Sequence, residues 1–261
     1  MTNRLNAVAT DLLREHATGL PFHPLRPDSG VEDLAAAYAV QRFLVELLNP
    51  HRVAAAGYKI GLTSVRMQKM CGVDTPLAGV VLADRVYGSS VELSLSNYGH
   101  LGLEFEIGVQ LQRDLPPSRA PFDTDDVVST IGGICAAVEA IDDRNADYKR
   151  LDARSIISDN AWNAGAILGQ FVAPWPDLAE ATGIVRLNGA DIDRGMGRDV
   201  LGHPFVPLTW LANHLAASGD GLKAGQIVLT GSLVPTRFPA VGECYQFEVG
   251  GIGTVDVRVR K

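Results

Sequence analysis

Glu104 and Glu106 stand two residues apart in a stretch whose odd positions are all large and apolar: Leu101, Leu103, Phe105, Ile107, Val109 and Leu111. Strict alternation predicts a β-strand over residues 101–111 and puts both carboxylates on one face. Gly102 and Gly108 flank them there and add no bulk, which leaves room for a ligand. Two like charges this close repel unless something positive sits between them, and a hard divalent cation with oxygen ligands is a natural guest. The solvated face of an edge strand would show the same pattern. Glu139 lies in the apolar run Ala136-Ala137-Val138-Glu139-Ala140-Ile141, where a carboxylate needs a partner. Arg144 or Lys59 could supply one, or Glu139 could be a third ligand of the same cation. Lys59, bracketed by Gly57 and Gly61, is either an exposed cation or a pocket lysine whose pKa burial lowers enough for acid/base work.

Two further stretches have the residue types of a binding site. Ser158-Asp159-Asn160-Ala161 reads as turn chemistry and a helix cap. Thr230-Gly231-Ser232 follows a strand, so its hydroxyls and amides suit an anionic substrate or a turn. Other machinery is scarce. The six histidines form no H-x-H or H-E-x-x-H, and Gly195-Met196-Gly197 is followed by Val200 where a dinucleotide loop needs its third glycine. There is no G-x-S-x-G elbow and no Walker loop.

The elements that must position these groups are short. Leu5, Val8, Leu12 and Leu13 keep helical spacing, with Gly19 as a stop. Ser29 and Glu32 read as the capping box of a second helix that ends at Asn49-Pro50. Strands are predicted over 57–62, 80–82, 91–95, 137–141, 227–229, 245–249 and 254–259, with a short helix over 64–71 stopped by Gly72. Further helices start at Thr124 and run through Leu208, Leu211, Ala212 and Leu215; residues 184–187 and 190–193 flank Asn188-Gly189 as a type I′ hairpin. The expectation is one catalytic domain over 1–261, helical to about residue 55 and mixed β from about 56 to the end, an α+β fold.

Composition narrows the function. The 261 residues carry a net charge of −7, with 46% hydrophobic and 20% charged residues, as expected of a soluble globular protein rather than a disordered chain. An acidic balance disfavours nucleic acid as a partner, and no apolar run reaches the roughly 18 to 20 residues of a membrane span. Cys71, Cys135 and Cys244 are odd in number and widely spaced, which fits a reducing cytoplasm without disulfides or a zinc ribbon.

Taken in order, Tyr58-Lys59-Ile60-Gly61-Leu62-Thr63-Ser64, Glu104-Phe105-Glu106, Glu139-Ala140-Ile141-Asp142, Ser158-Asp159-Asn160-Ala161, Leu201-Gly202-His203-Pro204 and Leu229-Thr230-Gly231-Ser232 resemble the 2-oxopent-4-enoate hydratase and 4-oxalocrotonate decarboxylase family of the fumarylacetoacetate hydrolase superfamily. The resemblance spans essentially the whole chain. It implies a mixed β-roll or sandwich with an N-terminal helical part, a Mg²⁺ or Mn²⁺ site on Glu104, Glu106 and Glu139, catalytic Lys59 and Asp159, and substrate contacts from Leu77, Ser158, Asn160, Thr230, Gly231 and Ser232. It also implies homo-oligomers and association with a paralogous hydratase or decarboxylase. One departure stands out: family hydratases commonly carry P-D-x-G where this chain has Pro76-Leu77-Ala78-Gly79. An apolar residue there resembles the decarboxylase branch. The implied activity is metal-dependent hydration of a 2-hydroxy-alka-2,4-dienoate (a 2-oxo-alkenoate) to a 4-hydroxy-2-oxo acid, as in meta-cleavage degradation of aromatics. The alternatives are a 4-oxalocrotonate-type decarboxylase and, more distantly, an acylpyruvate-type C–C hydrolase or a catalytically silent oligomer partner.

Overall fold

The computed structural model describes residues 2–51 and 53–261. Two helices open the chain, α1 (Thr2–Thr18), closed where Gly19 turns left-handed at φ 65°, and α2 (Leu34–Leu48). Leu5, Ala9 and Leu12 of α1 bury the stripe seen in the sequence in one core with Ala37, Val40 and Leu44 of α2. The Ser29–Glu32 capping box does not form. Gly30 turns left-handed at φ 82° after a 3₁₀ turn over Pro27–Ser29, which separates Ser29 from the helix. Asp33 caps α2 instead, its carboxylate accepting from Ala36 N at 2.8 Å.

The first strands are β1 (Gly57–Gly61), β2 (Leu77–Val81), β3 (Val86–Gly88), β4 (Val91–Ser94) and β5 (Leu101–Leu111), with α3 (Val65–Met70) between β1 and β2. The middle of the chain holds α4 (Thr124–Val128), β6 (Ile131–Asp142), α5 (Ala153–Ser158) and β7 (Asn163–Leu168). The chain closes with β8 (Thr182–Leu187), β9 (Ala190–Met196), α6 (Phe205–Ala217), β10 (Ile227–Ser232), β11 (Cys244–Val249) and β12 (Gly253–Arg260). Asn188 and Gly189, at φ 51° and 86°, make the expected I′ turn between β8 and β9.

The strands form two mixed sheets, a seven-stranded one in the order β2-β1-β10-β5-β6-β7-β3 and a five-stranded one in the order β4-β12-β11-β8-β9. The odd residues of β5 and the even residues of β6 fill the core shared with the second sheet, where Phe105 meets Phe247 at 5.5 Å and Tyr245 at 6.0 Å between ring centroids. β5 lies between β10 and β6, so the edge-strand reading of Glu104 and Glu106 does not hold. Their face of the sheet is covered on the side of β1, β2 and β6 by the N-terminal helices and α5, whose core takes in Leu77, Ile141 and Trp162. Gln41 of α2 ties this layer down: its buried amide donates to Ala78 O at 2.8 Å and Ile157 O at 3.1 Å. Tyr38 Oη accepts from Ala78 N at 3.0 Å. Among the described residues no helix is long and apolar enough to cross a membrane.

The two caps can be told apart by mutation. Asp33→Ala is expected to lower unfolding free energy by about 1 kcal/mol, the usual value of an N-cap. Ser29→Ala should change it by less than about 0.5 kcal/mol, as for a surface substitution. Denaturant titration of the two variants measures both, and a larger loss for Ser29→Ala would restore the capping box.

Candidate functional site

The pairing of β5 with β6 sets Glu139 directly opposite Glu104, and Glu106 follows two residues on along the same face. Each of the three offers a carboxylate oxygen, and these oxygens lie within 4.8 Å of one another. Glu106 and Glu139 are fully buried. Each carboxylate is held by a donor from a different neighbour. Thr236 Oγ1 donates to Glu104 Oε1 at 2.8 Å, Gly231 N to Glu106 Oε2 at 2.6 Å, and Asn163 Nδ2 to Glu139 Oε1 at 2.9 Å. The Gly231 bond depends on a break in the β10–β5 register between Leu229 and Ser232, which frees this amide from the ladder. Gly231 sits at φ 113°, and a Cβ there would lie 2.2 Å from Thr63 Oγ1. Only glycine fits.

Lys59 enters from β1 and reaches across β10, its Nζ 3.1 Å from Glu139 Oε2 and 4.0 Å from Glu104 Oε2. It is 4% exposed, so the surface-cation reading is excluded. Burial pulls its pKa down, but Glu139, Glu104 and Glu106 outweigh that pull and leave it above its usual value. The expectation that burial would free a neutral amine is thus corrected: the carboxylates hold Lys59 as an ammonium. One cation does not balance three acids. Burial, reinforced by its carboxylate neighbours, raises Glu106 well above the carboxylate range. Burial likewise raises Glu139 to about 7 against the pull of Lys59. Glu106 Oε1 is buried with no hydrogen-bond partner, and Glu139 Oε2 has only the ammonium beside it. Arg144, the other partner considered for Glu139, is bonded elsewhere. An all-oxygen donor set with excess negative charge and two under-satisfied buried oxygens fits a hard divalent cation.

Lys59 and Glu104 of the cluster line a cavity of about 650 Å³, with Glu106 and Glu139 buried beside them. Its walls are largely apolar, from Leu77, Met67, Ile156, Trp162 and Phe238 among others. Leu77 is 2% exposed, and its Cδ1 and Lys59 Nζ both crowd the position a Cβ on Gly61 would take, at 2.9 and 3.5 Å. Ser232 lines the cavity, with its hydroxyl donating to Val234 O at 2.8 Å. Thr230 is fully buried and donates to Ile107 O at 2.9 Å, so its side chain holds β10 to β5.

The Ser158-Asp159-Asn160 segment sits differently from the expected substrate contacts. Asp159 is 1% exposed and does not line the cavity. Its carboxylate meets Arg144 Nη2 at 2.6 Å and His16 Nε2 at 2.5 Å. Asn160 accepts from Val80 N at 2.8 Å and donates to Val80 O at 2.9 Å, which locks it to β2. Ser158 is fully buried, its Oγ without a partner. The segment reaches the cavity through the next residues, Ala161 and Trp162. Asn160, Ala161 and Trp162 are all left-handed, at φ 48°, 50° and 61°, and this reversal turns Asn160 to β2 while Trp162 enters the wall.

Three residues not singled out in the sequence complete the picture. Tyr148 lines the cavity and donates from Oη to Asp143 Oδ2 at 2.9 Å. Asp143 is 1% exposed and lies 2.6 Å through Oδ1 from His100 Nδ1. His100 in turn stacks on Phe238 with ring centroids 4.4 Å apart. The paired acids Asp142-Asp143 at the end of an apolar strand were the one visible signal.

Comparison with known proteins agrees with this architecture. The fumarylacetoacetate (FAA) hydrolase C-terminal family profile matches residues 59–260. The chain is 32% identical over 257 residues to the 2-keto-4-pentenoate hydratase of Burkholderia vietnamiensis, covering 97% of this chain and 96% of the relative. It is 33% identical over 272 residues to the TodF product hydratase of Pseudomonas putida, covering 100% and 98%. The crystallised 4-oxalocrotonate decarboxylase from Pseudomonas putida, complexed with magnesium and adipate, superposes with a TM-score of 0.92 at 26% identity, over 99% of this chain and 98% of that one. With most of its length matched by the profile and all of it by full-length relatives, the chain belongs to the fumarylacetoacetate hydrolase family.

Proposed function

We propose that this protein is a divalent-metal-dependent hydratase that converts a 2-hydroxy-alka-2,4-dienoate, through its 2-oxo form, to a 4-hydroxy-2-oxo acid. The observation that carries this reading is the cluster of Glu104, Glu106 and Glu139 with Lys59, which meets a cavity with largely apolar walls through Lys59 and Glu104. Relatives named 2-keto-4-pentenoate hydratase and 2-hydroxyhexa-2,4-dienoate hydratase, similar over 95% or more of this chain, support it. The three glutamates would hold Mg²⁺ or Mn²⁺, with Thr236, Gly231 and Asn163 orienting one carboxylate each. When bound, the cation supplies a Lewis acid for the substrate's carboxylate and 2-oxygen.

The chain's own residues do the rest. Lys59 Nζ, held as an ammonium, donates to the 2-oxygen and stabilises the negative charge that grows there as water adds at C4. Leu77 and Trp162 pack the hydrocarbon part of the substrate and exclude bulk water. Ser232 bounds the same space. Asp159, expected to be catalytic, is assigned a positioning role: with Arg144 and His16 it anchors the turn that delivers Trp162. A second reading, decarboxylation of a 2-oxo-3-enedioate, is favoured by the apolar Leu77 and by the likeness to the decarboxylase.

Incubation with 2-hydroxypenta-2,4-dienoate and Mg²⁺ should bleach the conjugated absorbance and yield 4-hydroxy-2-oxopentanoate. Release of CO₂ from 2-oxohex-3-enedioate without any such hydration would replace the hydratase by the decarboxylase. Lys59→Met is expected to cut turnover at least about 100-fold, the scale of a positioned proton donor. A near-normal rate in this variant would remove Lys59 from the chemistry.

The raised carboxylates make metal binding pH-dependent. Glu139 titrates at about 7 in the fold against an ordinary 4.5, so between these values the folded chain holds a proton the unfolded chain has lost. Stability of the metal-free protein therefore falls as pH rises through that window. Metal must displace the proton, so Mg²⁺ affinity rises over the same window. Calorimetry from pH 5.5 to 8 should show this increase, and Glu104→Gln, Glu106→Gln and Glu139→Gln should each weaken binding at pH 8. Wild-type affinity in all three variants would place the metal elsewhere.

A further inference from the structure

The cavity has acid/base groups at its carboxylate end, Lys59 and Glu104, but the reaction proposed above also moves protons at C3 and C4. Three other charged or titratable side chains in its wall are Arg66, Asp199 and Tyr148. A guanidinium stays protonated and is a poor proton carrier. Asp199 Oδ2 accepts from Met196 N at 2.7 Å, which closes a local turn. Tyr148 differs because its hydroxyl opens onto a chain of bonds running out of the cavity.

From Tyr148 Oη the bond of 2.9 Å leads to Asp143 Oδ2, and from Asp143 Oδ1 a contact of 2.6 Å leads to His100 Nδ1. A carboxylate only accepts, so the tyrosine donates to it and Nδ1 of the imidazole carries its hydrogen. Asn145 N adds a third bond to Asp143 Oδ1 at 3.0 Å. The aspartate is thus fixed on both oxygens while almost wholly buried. The His100 side chain is 35% exposed, and its ring stacks on Phe238, itself part of the cavity wall. One end of the chain therefore touches the cavity and the other touches solvent. Burial, with Asp143 and Glu104 nearby, raises the Tyr148 pKa, so the phenol stays neutral and protonated in the resting site. Its oxygen lone pairs remain able to accept from a water in the cavity while its hydrogen points to Asp143.

We propose that Tyr148 is a catalytic residue for water addition, with Asp143 as the proton acceptor behind it and His100 as the positioning residue that orients Asp143. The proposal rests on the hydratase reading. In the addition step, the oxygen of a water bonds to C4 of the 2-oxo-3-enoate, the C3=C4 electron pair shifts towards C2, and the negative charge comes to rest on the 2-oxygen. The proton leaving that water passes to Tyr148 Oη as the tyrosine's own proton passes to Asp143 Oδ2. The reverse transfer then delivers a proton from Tyr148 to C3 and restores the 2-oxo group. One water has been added across C3=C4, and the chain has returned to its starting state with no other reactant consumed. Leu77, being apolar, carries no proton itself, which is consistent with this placement.

The test begins with the wild-type protein, 2-hydroxypenta-2,4-dienoate and Mg²⁺. Tyr148→Phe and Asp143→Asn are each expected to lower kcat at least about 100-fold. KM should stay within about threefold, and Mg²⁺ affinity by calorimetry should be unchanged. Asp143→Asn keeps the side chain's shape and an acceptor oxygen but cannot take the proton, so it carries the test if Tyr148→Phe fails to fold. A merely structural role would instead appear in KM, metal affinity or thermal stability, with kcat preserved. Retention of kcat within about threefold in either folded variant overturns the proposal. If the wild type hydrates no dienoate, the functional reading itself fails and takes this proposal with it, whereas wild-type hydration with fully active variants rejects the proton chain alone.

Discussion

Three carboxylates and one ammonium meet in a largely buried cluster beside the cavity, and the rest of the structure is arranged around that imbalance. Two of the acids are fully buried, and desolvation alone makes their ionised forms unfavourable. Among the described residues no second cation pairs with the cluster. The protein supplies single neutral donors, Thr236, Gly231 and Asn163, which fix the direction of each carboxylate and leave the excess charge in place. Such a site is unfavourable to the empty fold and favourable to a divalent guest, the sign expected when stability is given up for binding. The strain is tolerable because the groups stand on the interior strands of a seven-stranded sheet, whose opposite face is locked into the core between the sheets.

A second ionic cluster braces the turn that carries Trp162. Arg144, 2% exposed, bonds Asp159 at 2.6 Å and Glu15 at 3.3 Å, while His16 reaches the other oxygen of Asp159. Both Glu15 and His16 belong to α1, so the first helix of the chain braces a turn more than a hundred residues away. That turn needs bracing. Left-handed conformations are unfavourable for residues with a Cβ by roughly 1–2 kcal/mol each, and three stand in a row at Asn160–Trp162. The buried ion pairs and the two Val80 bonds of Asn160 are the interactions that hold this reversal.

Much of this was legible in the residues, and what was not has a common cause. The alternation over 101–111 placed Glu104 and Glu106 on one face because the period of a strand is local. The position of Glu139 opposite Glu104 depends on the β5–β6 register, which pairs residues far apart in the chain. Lys59 was legible as a lysine between glycines, but its direction follows from the parallel pairing of β1 with β10, again non-local. Asp159 reads as a turn and cap residue, and only the family resemblance implies a catalytic role for it. Its partners lie on α1 and just past β6, so nothing nearby in sequence could show that its oxygens were already taken. Tyr148, Asp143 and His100 went unseen for the same reason: they are joined by side-chain bonds across a loop, with no spacing rule to announce them. The failed Ser29–Glu32 cap was a purely local error, in which Gly30 broke the backbone path that such a box needs.

The floor of the cavity and its walls come from different kinds of structure. The charged floor is built on paired strands, where moving one residue moves its neighbours in register. The apolar walls come mainly from α3, α5 and the loops after β6 and β10, with Leu77 and Ile141 added from the strands themselves. Divergence can therefore proceed on the two at separate rates. Substitutions in the walls can reshape the hydrocarbon pocket, and with it the chain length or distal polarity accepted, while the charged centre is inherited intact. A lineage built this way can trade substrates, and even exchange one terminal step for another, without ever passing through an ancestor that has lost its reactive core.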